Sequence, residues 1–267
     1  MANHVMNELA GLGAMHGRPG YKVLGVRVDA VKMPEVIAQI QQWIAAGVRG
    51  KYVAVTGMHG VSESLRDPGL REVINHAGLV VPDGMPLVWL ARWHGISLER
   101  RVTGSELMEN FCRETGSRYR HYFYGGASGV AQDLANKLRG RFGIAVAGTF
   151  TPPFRPLTAE EEQRVSAEVK EAAPDILWVG LSTPKQERWM YAHRGTLDVP
   201  VMLGVGAAFD MHSGRLDRAP VWLQEIGLEW FYRLVAEPRR LWKRYLVIIP
   251  RAACSVLLEV LHIVKYD

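Results

Sequence analysis

Asp83 closes the apolar run Leu79-Val80-Val81-Pro82 and is followed at once by Gly84. A strand-like segment thus delivers a carboxylate onto a turn just before a helix-like stretch, the place where α/β proteins carry their chemistry. A second polar strand end follows Ile176-Leu177-Trp178-Val179-Gly180, at Ser182-Thr183-Pro184-Lys185-Gln186-Glu187, and Thr56 ends a third run, Lys51 to Val55. Polar strand ends gathered in one chain suggest one shared cleft. Each of these positions also has a purely structural reading: Asp-Gly is a common turn pair, Asp caps helices, Pro184 suits the start of a helix carrying Gln186 and Glu187 in its first turn, and Thr56 can simply end a strand. His59 and His212 stand alone near loops and read as solvated or locally hydrogen-bonded.

The elements that must hold these residues alternate from Tyr21 onward. Strand-like runs at 21–28, 51–56, 79–82, 121–124, 144–150, 176–181 and 200–205 are separated by helix-like segments at 34–46, 60–77, 85–93, 106–115, 130–141, 159–172 and 185–193. That alternation predicts an α/β, Rossmann-like domain with a mostly parallel sheet covered by helices on both faces. Thr158 followed three residues later by Glu161 matches a capping box, and Gly140 and Gly143 fall where a helix ends. After Arg215 the strand pattern stops, so the chain is expected to divide into a mobile tail (1–20), a catalytic α/β domain (21–214) and a helical appendage (215–267).

The 267 residues, 48% hydrophobic and 22% charged, describe an ordinary folded chain rather than a disordered one. Two cysteines, Cys112 and Cys254, have neither a CxxC spacing nor the number for a disulfide framework, which fits a reducing cytoplasm. Residues 1–20 lack a signal peptide's charged and apolar regions, and no apolar stretch approaches the roughly 18 residues a membrane-spanning helix needs. The net charge of +5 calls for an anionic partner. Between residues 237 and 251 Arg239, Arg240, Lys243, Arg244 and Arg251 face one acid, Glu237, and alternate with the apolar runs 245–249 and 256–264. Basic and apolar residues so mixed fit a segment lying on anionic lipid, or a helical hairpin packed on the main domain. Nucleic acid is disfavoured because spaced aromatics on a sheet are missing.

No P-loop and no HExxH occur, and no Asp-x-Asp, the pair that commonly holds a divalent ion under a nucleotide-sugar diphosphate. Gly125-Gly126-Ala127-Ser128-Gly129 follows a strand and opens a helix, so it reads either as a tight turn or as a phosphate contact. Together with Pro82-Asp83-Gly84, Arg101-Val102-Thr103-Gly104, Pro184-Lys185-Gln186-Glu187, Phe209-Asp210, Arg218-Ala219-Pro220 and Gly227-Leu228-Glu229-Trp230-Phe231-Tyr232-Arg233-Leu234, it resembles the WecG/TagA/CpsF family of bacterial glycosyltransferases over about residues 22–250. The resemblance implies inverting transfer, without a metal or other cofactor, of a sugar from a UDP donor to a polyprenyl-diphosphate-linked sugar. Such a protein works on the inner face of the cytoplasmic membrane as a peripheral protein, with anionic lipid as a partner and a possible homo-oligomer.

By that resemblance Asp83 is the general base, and Thr56 and Gln186 orient substrate or base. Arg101 stands near the donor phosphate or sugar, Gly126 and Asp210 belong to the uridine diphosphate pocket, and Arg233, Arg240 and Arg244 take the place of a metal at the diphosphate. Two departures stand out. Met58 replaces an asparagine common in Thr-x-Asn, which favours a donor without an N-acetyl group, and Glu106 replaces a more usual aspartate. Two other classes stay open at this point: a nicotinamide-dependent oxidoreductase resting on Gly125 to Gly129, and a non-catalytic nucleotide-sugar or membrane-binding module.

Overall fold

The computed structural model describes residues 18–220, 222–223, 227–261 and 263–266. The predicted mobile tail, apart from Arg18 to Gly20, lies outside them. Those three are held, Pro19 accepting a hydrogen bond of 3.0 Å from the Ala30 N–H and Gly20 opening the first strand.

Six strands, β3 (Lys51–Thr56), β4 (Leu79–Pro82), β5 (Arg120–Gly125), β6 (Ala145–Phe150), β7 (Ile176–Gly180) and β8 (Val201–Gly204), form a wholly parallel sheet in the order β4-β3-β8-β7-β5-β6. The residue period of two sends Tyr52, Ala54, Val80, Tyr124, Leu177 and Met202 to one face. Val53, Val55, Leu79, Phe123, Trp178 and Leu203 go to the other. Both faces are apolar because both are covered, as a parallel sheet requires. Helices α2 (Met58–Arg66), α3 (Pro68–Asn75), α4 (Met85–Trp93), α7 (Ala159–Ala172) and α8 (Lys185–His193) bury residues on the first face. Helices α1 (Met33–Ala45), α5 (Gly104–Thr115), α6 (Val130–Phe142) and α9 (Ala208–His212) do so on the second.

Two boundaries differ from the sequence expectation. The run 21–28 is not one strand but a hairpin, β1 (Gly20–Val23) and β2 (Val26–Asp29), turning on Leu24 and Gly25. Both residues have positive φ, 51° and 79°, the pairing that a two-residue hairpin turn needs. The hairpin seals the sheet edge, since Asp29 accepts a 2.8 Å hydrogen bond from the Val80 N–H of β4. The helix expected over 60–77 is broken at Asp67, whose carboxylate caps Leu70 at 3.1 Å while Pro68 starts the next helix.

The appendage comprises α10 (Glu229–Ala236), α11 (Pro238–Lys243), a π turn (Arg244–Ile248) and α12 (Ile249–Val260). It folds back: Leu241 and Ala252 are buried, and Glu259 accepts a 2.9 Å hydrogen bond from Leu24 in the hairpin turn.

At the centre of the sheet β7 ends against Phe209, and a Cβ on Gly180 would lie 2.6 Å from that ring. Gly180→Ala is therefore expected to lower stability by about 1–3 kcal/mol through overpacking, read as a lower urea midpoint with an unchanged slope.

Candidate active site

Parallel strands bring their carboxyl ends to one edge, and the sequence-predicted residues gather there. The Asp83 N–H donates to the Thr56 carbonyl (2.9 Å), and the Val102 N–H donates to the Pro82 carbonyl (2.9 Å). The Asp83-Gly84 turn is thus clamped between the end of β3 and the loop carrying Arg101. Glycine is required on both sides of the clamp. Gly84 has φ 131°, and a Cβ on Gly57 would come within 2.5 Å of the Asp83 carbonyl oxygen. Thr56 is buried, and its hydroxyl has no hydrogen-bond partner among the described residues.

Burial pushes the Asp83 carboxyl up to about 6, against the pull of Arg101; Glu229 adds to the rise, and Arg244 and Arg233 oppose it. These are the charges that surround it. Arg101 is ion-paired with Glu229, which fastens the start of α10 to the loop that follows α4. Arg233 and Glu237 are 3.9 Å apart. The appendage therefore brings two arginines over the edge beside Asp83, while at pH 7 a carboxyl near 6 is mostly ionised and able to accept a proton. The side chain of Arg240 lies outside the described residues.

Gln186 occupies a different position. It is buried, its amide nitrogen donates to Glu187 at 3.0 Å, and its carbonyl accepts from the Gly206 N–H at 3.0 Å. Thr183 also donates to Glu187, at 2.8 Å. Burial raises the Glu187 carboxyl above its ordinary range. Gln186 is thus a brace joining the loops after β7 and β8, and its amide is engaged by protein.

Gly126 and Asp210 lie farther along the edge. Gly126 (φ 74°) donates to the Gly180 carbonyl at 3.0 Å, and a Cβ there would meet Val130 at 2.8 Å and Phe209 at 3.4 Å. Asp210 follows Phe209 in the short α9, where its carbonyl accepts the Arg215 N–H at 2.9 Å. The end of β5 is four strand spacings from the end of β4, about 19 Å, so the candidate residues line an elongated edge with Asp83, Thr56, Arg101, Arg233 and Arg244 at one end. A groove of about 300 Å³ opens beside it, lined by Arg101 itself together with Lys32, Glu99, Arg100, Glu106 and Asn110. Glu106 uses its longer reach to hold Arg218 at 2.8 Å.

Two residues of this edge were not picked out as functional from the sequence. Glu229 stood inside a quoted motif but without its partner, Arg101. His59, expected to be solvated or locally bonded, is instead largely buried with a hydrogen-bond-free Nδ1. By contrast His212 does bond locally, its Nε2 lying 2.9 Å from the Ser105 carbonyl.

The appendage exposes large apolar side chains beside the exposed Arg239, Lys243 and Arg251. Trp222, Phe231, Val235, Leu246, Leu257 and Ile263 are each more than half exposed, as are Trp89 and Trp93 on α4. Among the described residues no helix is long and apolar enough to cross a membrane.

The model of the glycosyl transferase WecG/TagA/CpsF family matches residues 21–265. Among curated relatives, the N-acetylglucosaminyldiphosphoundecaprenol N-acetyl-beta-D-mannosaminyltransferase of Bacillus subtilis (strain 168) is 29% identical over 198 residues, 73% of this chain and 75% of the relative. The protein of the same name from Bacillus spizizenii is 28% identical over 211 residues (78% and 79%), and that from Staphylococcus aureus (strain NCTC 8325 / PS 47) 26% over 224 residues (83% and 85%).

Proposed function

The chain belongs to the WecG/TagA/CpsF family of glycosyl transferases, and from that premise we propose that it moves a hexose or N-acetylhexosamine from a UDP donor to a sugar carried on a polyprenyl diphosphate, with inversion and without a metal. The observation that carries this reading is the Asp83 carboxyl held at the carboxyl edge of the sheet, where the charges of Arg101, Arg233 and Arg244 reach it. Membership in the family sets the nicotinamide oxidoreductase reading aside.

In this mechanism the Asp83 carboxylate takes the proton of the acceptor hydroxyl as that oxygen attacks the anomeric carbon from the face opposite UDP. The new glycosidic C–O bond forms while the bond to the UDP oxygen breaks, and the electron pair leaves with UDP. Negative charge then grows on the diphosphate. Arg233 and Arg244 stand close enough to Asp83 to perturb it, and guanidinium groups bind phosphate oxygens bidentately and stabilise growing charge. Arg101, already held by Glu229, orients the donor. Gly126 and Asp210 are assigned to the nucleotide end, where an aspartate accepts hydrogen bonds from ribose or uracil.

The relatives' names describe an acceptor on undecaprenol diphosphate, and the same class of acceptor suits this chain. Exposed apolar side chains mixed with exposed basic ones are what a protein lying on anionic lipid presents, so we assign the protein to the inner membrane surface as a peripheral protein.

Incubating the EDTA-treated protein with a panel of UDP-sugars and a polyprenyl-diphosphate-linked sugar tests the proposal. Acceptor-dependent UDP release from one donor supports it and names that donor. Binding of UDP-sugars with no release from any of them would leave a binding module, and release only after a divalent ion is restored would remove the metal-free mechanism.

A further inference from the structure

Helix α2 starts directly after Thr56 and Gly57, so its first turn lies at the same carboxyl edge as Asp83. Gly57, at the N-cap, contributes no side chain to the free N–H groups of that turn. Two buried polar atoms border it without hydrogen bonds among the described residues: the Thr56 hydroxyl and the His59 Nδ1. A carboxylate oxygen of Glu63 lies 3.9 Å from the His59 Nδ1, beyond hydrogen-bond reach. Buried polar atoms are ordinarily paired, so two left open at residues 56 and 59, at the end of β3 and in the first turn of α2, call for a partner that a ligand can supply. Arg244 joins this corner to the base, since its charge acts on both His59 and Asp83.

We propose that His59, with the Thr56 hydroxyl and the first turn of α2, forms a subsite that binds the uncharged polar groups of the donor sugar, its hydroxyls or acetamido group. This rests on the donor reading given above. Burial, helped by Arg244, holds the imidazole down to about 4, so it is neutral at working pH. A neutral imidazole offers one donor and one acceptor nitrogen, which suits a hydroxyl or an amide and gives no charge to a phosphate. Met58, its buried neighbour, has only a thioether to offer. His59 therefore supplies the hydrogen bond at this end of the strand, while Arg233 and Arg244 serve the diphosphate.

The test compares binding of UDP-glucose, UDP-N-acetylmannosamine and UDP to the full-length wild type, His59→Ala and His59→Gln by calorimetry, with thermal unfolding as a check on folding. The expected result is that at least one UDP-sugar binds the wild type more tightly than UDP, that H59A weakens that sugar's binding by about tenfold, the size of one lost hydrogen bond, and that UDP affinity is unchanged. H59Q, which restores a donor and an acceptor, should recover most of the loss and keeps the test open if H59A does not fold. In steady state the same variant should raise the donor KM with little change in kcat. Equal losses for UDP and UDP-sugar, or no loss for either, would overturn the subsite. Because the binding comparison needs no turnover, a wild type that transfers no sugar would sink the transferase reading separately.

Discussion

Asp83→Asn should lower kcat/KM for sugar transfer by about 10² to 10⁴-fold, the range general-base catalysis supplies, while UDP binding is kept. Asparagine fills the same clamp between Thr56 and Val102 but cannot take a proton. The wild-type pH profile carries the same information. The base works only when ionised, so kcat/KM should fall roughly tenfold per unit as pH drops below the value of about 6 to which burial raises the Asp83 carboxyl. The neighbours fix the direction in which variants move that limb. Glu229 raises the carboxyl and Arg244 lowers it, so Glu229→Gln should shift the limb to lower pH and Arg244→Ala to higher pH. A limb that stays in place in both variants would show that another group is titrating.

The second large effect belongs to the appendage. Arg233→Ala and Arg244→Ala should each cost about 10²- to 10³-fold in kcat, the scale seen when one preorganised donor to developing charge is removed. The loss should appear mainly in kcat, because the charge they meet is greatest as UDP departs. Single-turnover measurements at saturating donor isolate that step. If either variant instead raises the donor KM with kcat intact, the arginine holds the ground state and does not assist the leaving group.

Much of the scaffold was legible because it follows from local periodicity. Buried apolar runs alternating with helical segments gave the parallel sheet, and the carboxyl-edge location of Asp83 and Thr56 followed from their place at strand ends. What was missed depends on long-range geometry. Leu24-Gly25 lay inside an apolar run, and only pairing of its two halves turns the run into a hairpin. Glu229 lies 128 residues from Arg101, so no spacing rule joins them. His59 read as solvated or locally hydrogen-bonded because a lone polar residue near a loop ordinarily is; the appendage that packs on its helix and supplies Arg244 comes from the other end of the chain. Gln186 lies in the first turn of α8, as its place just after Pro184 suggests, yet its amide turns inward to Glu187 and Gly206, a direction that sequence does not carry.

The anomeric configuration of the transferred sugar, read by NMR on product made by the EDTA-treated enzyme, tests the central claim most directly. A single displacement with Asp83 as base predicts inversion, a β-linked product from an α-linked UDP donor. Retention would require a second displacement or front-side attack and would contradict the role assigned to Asp83.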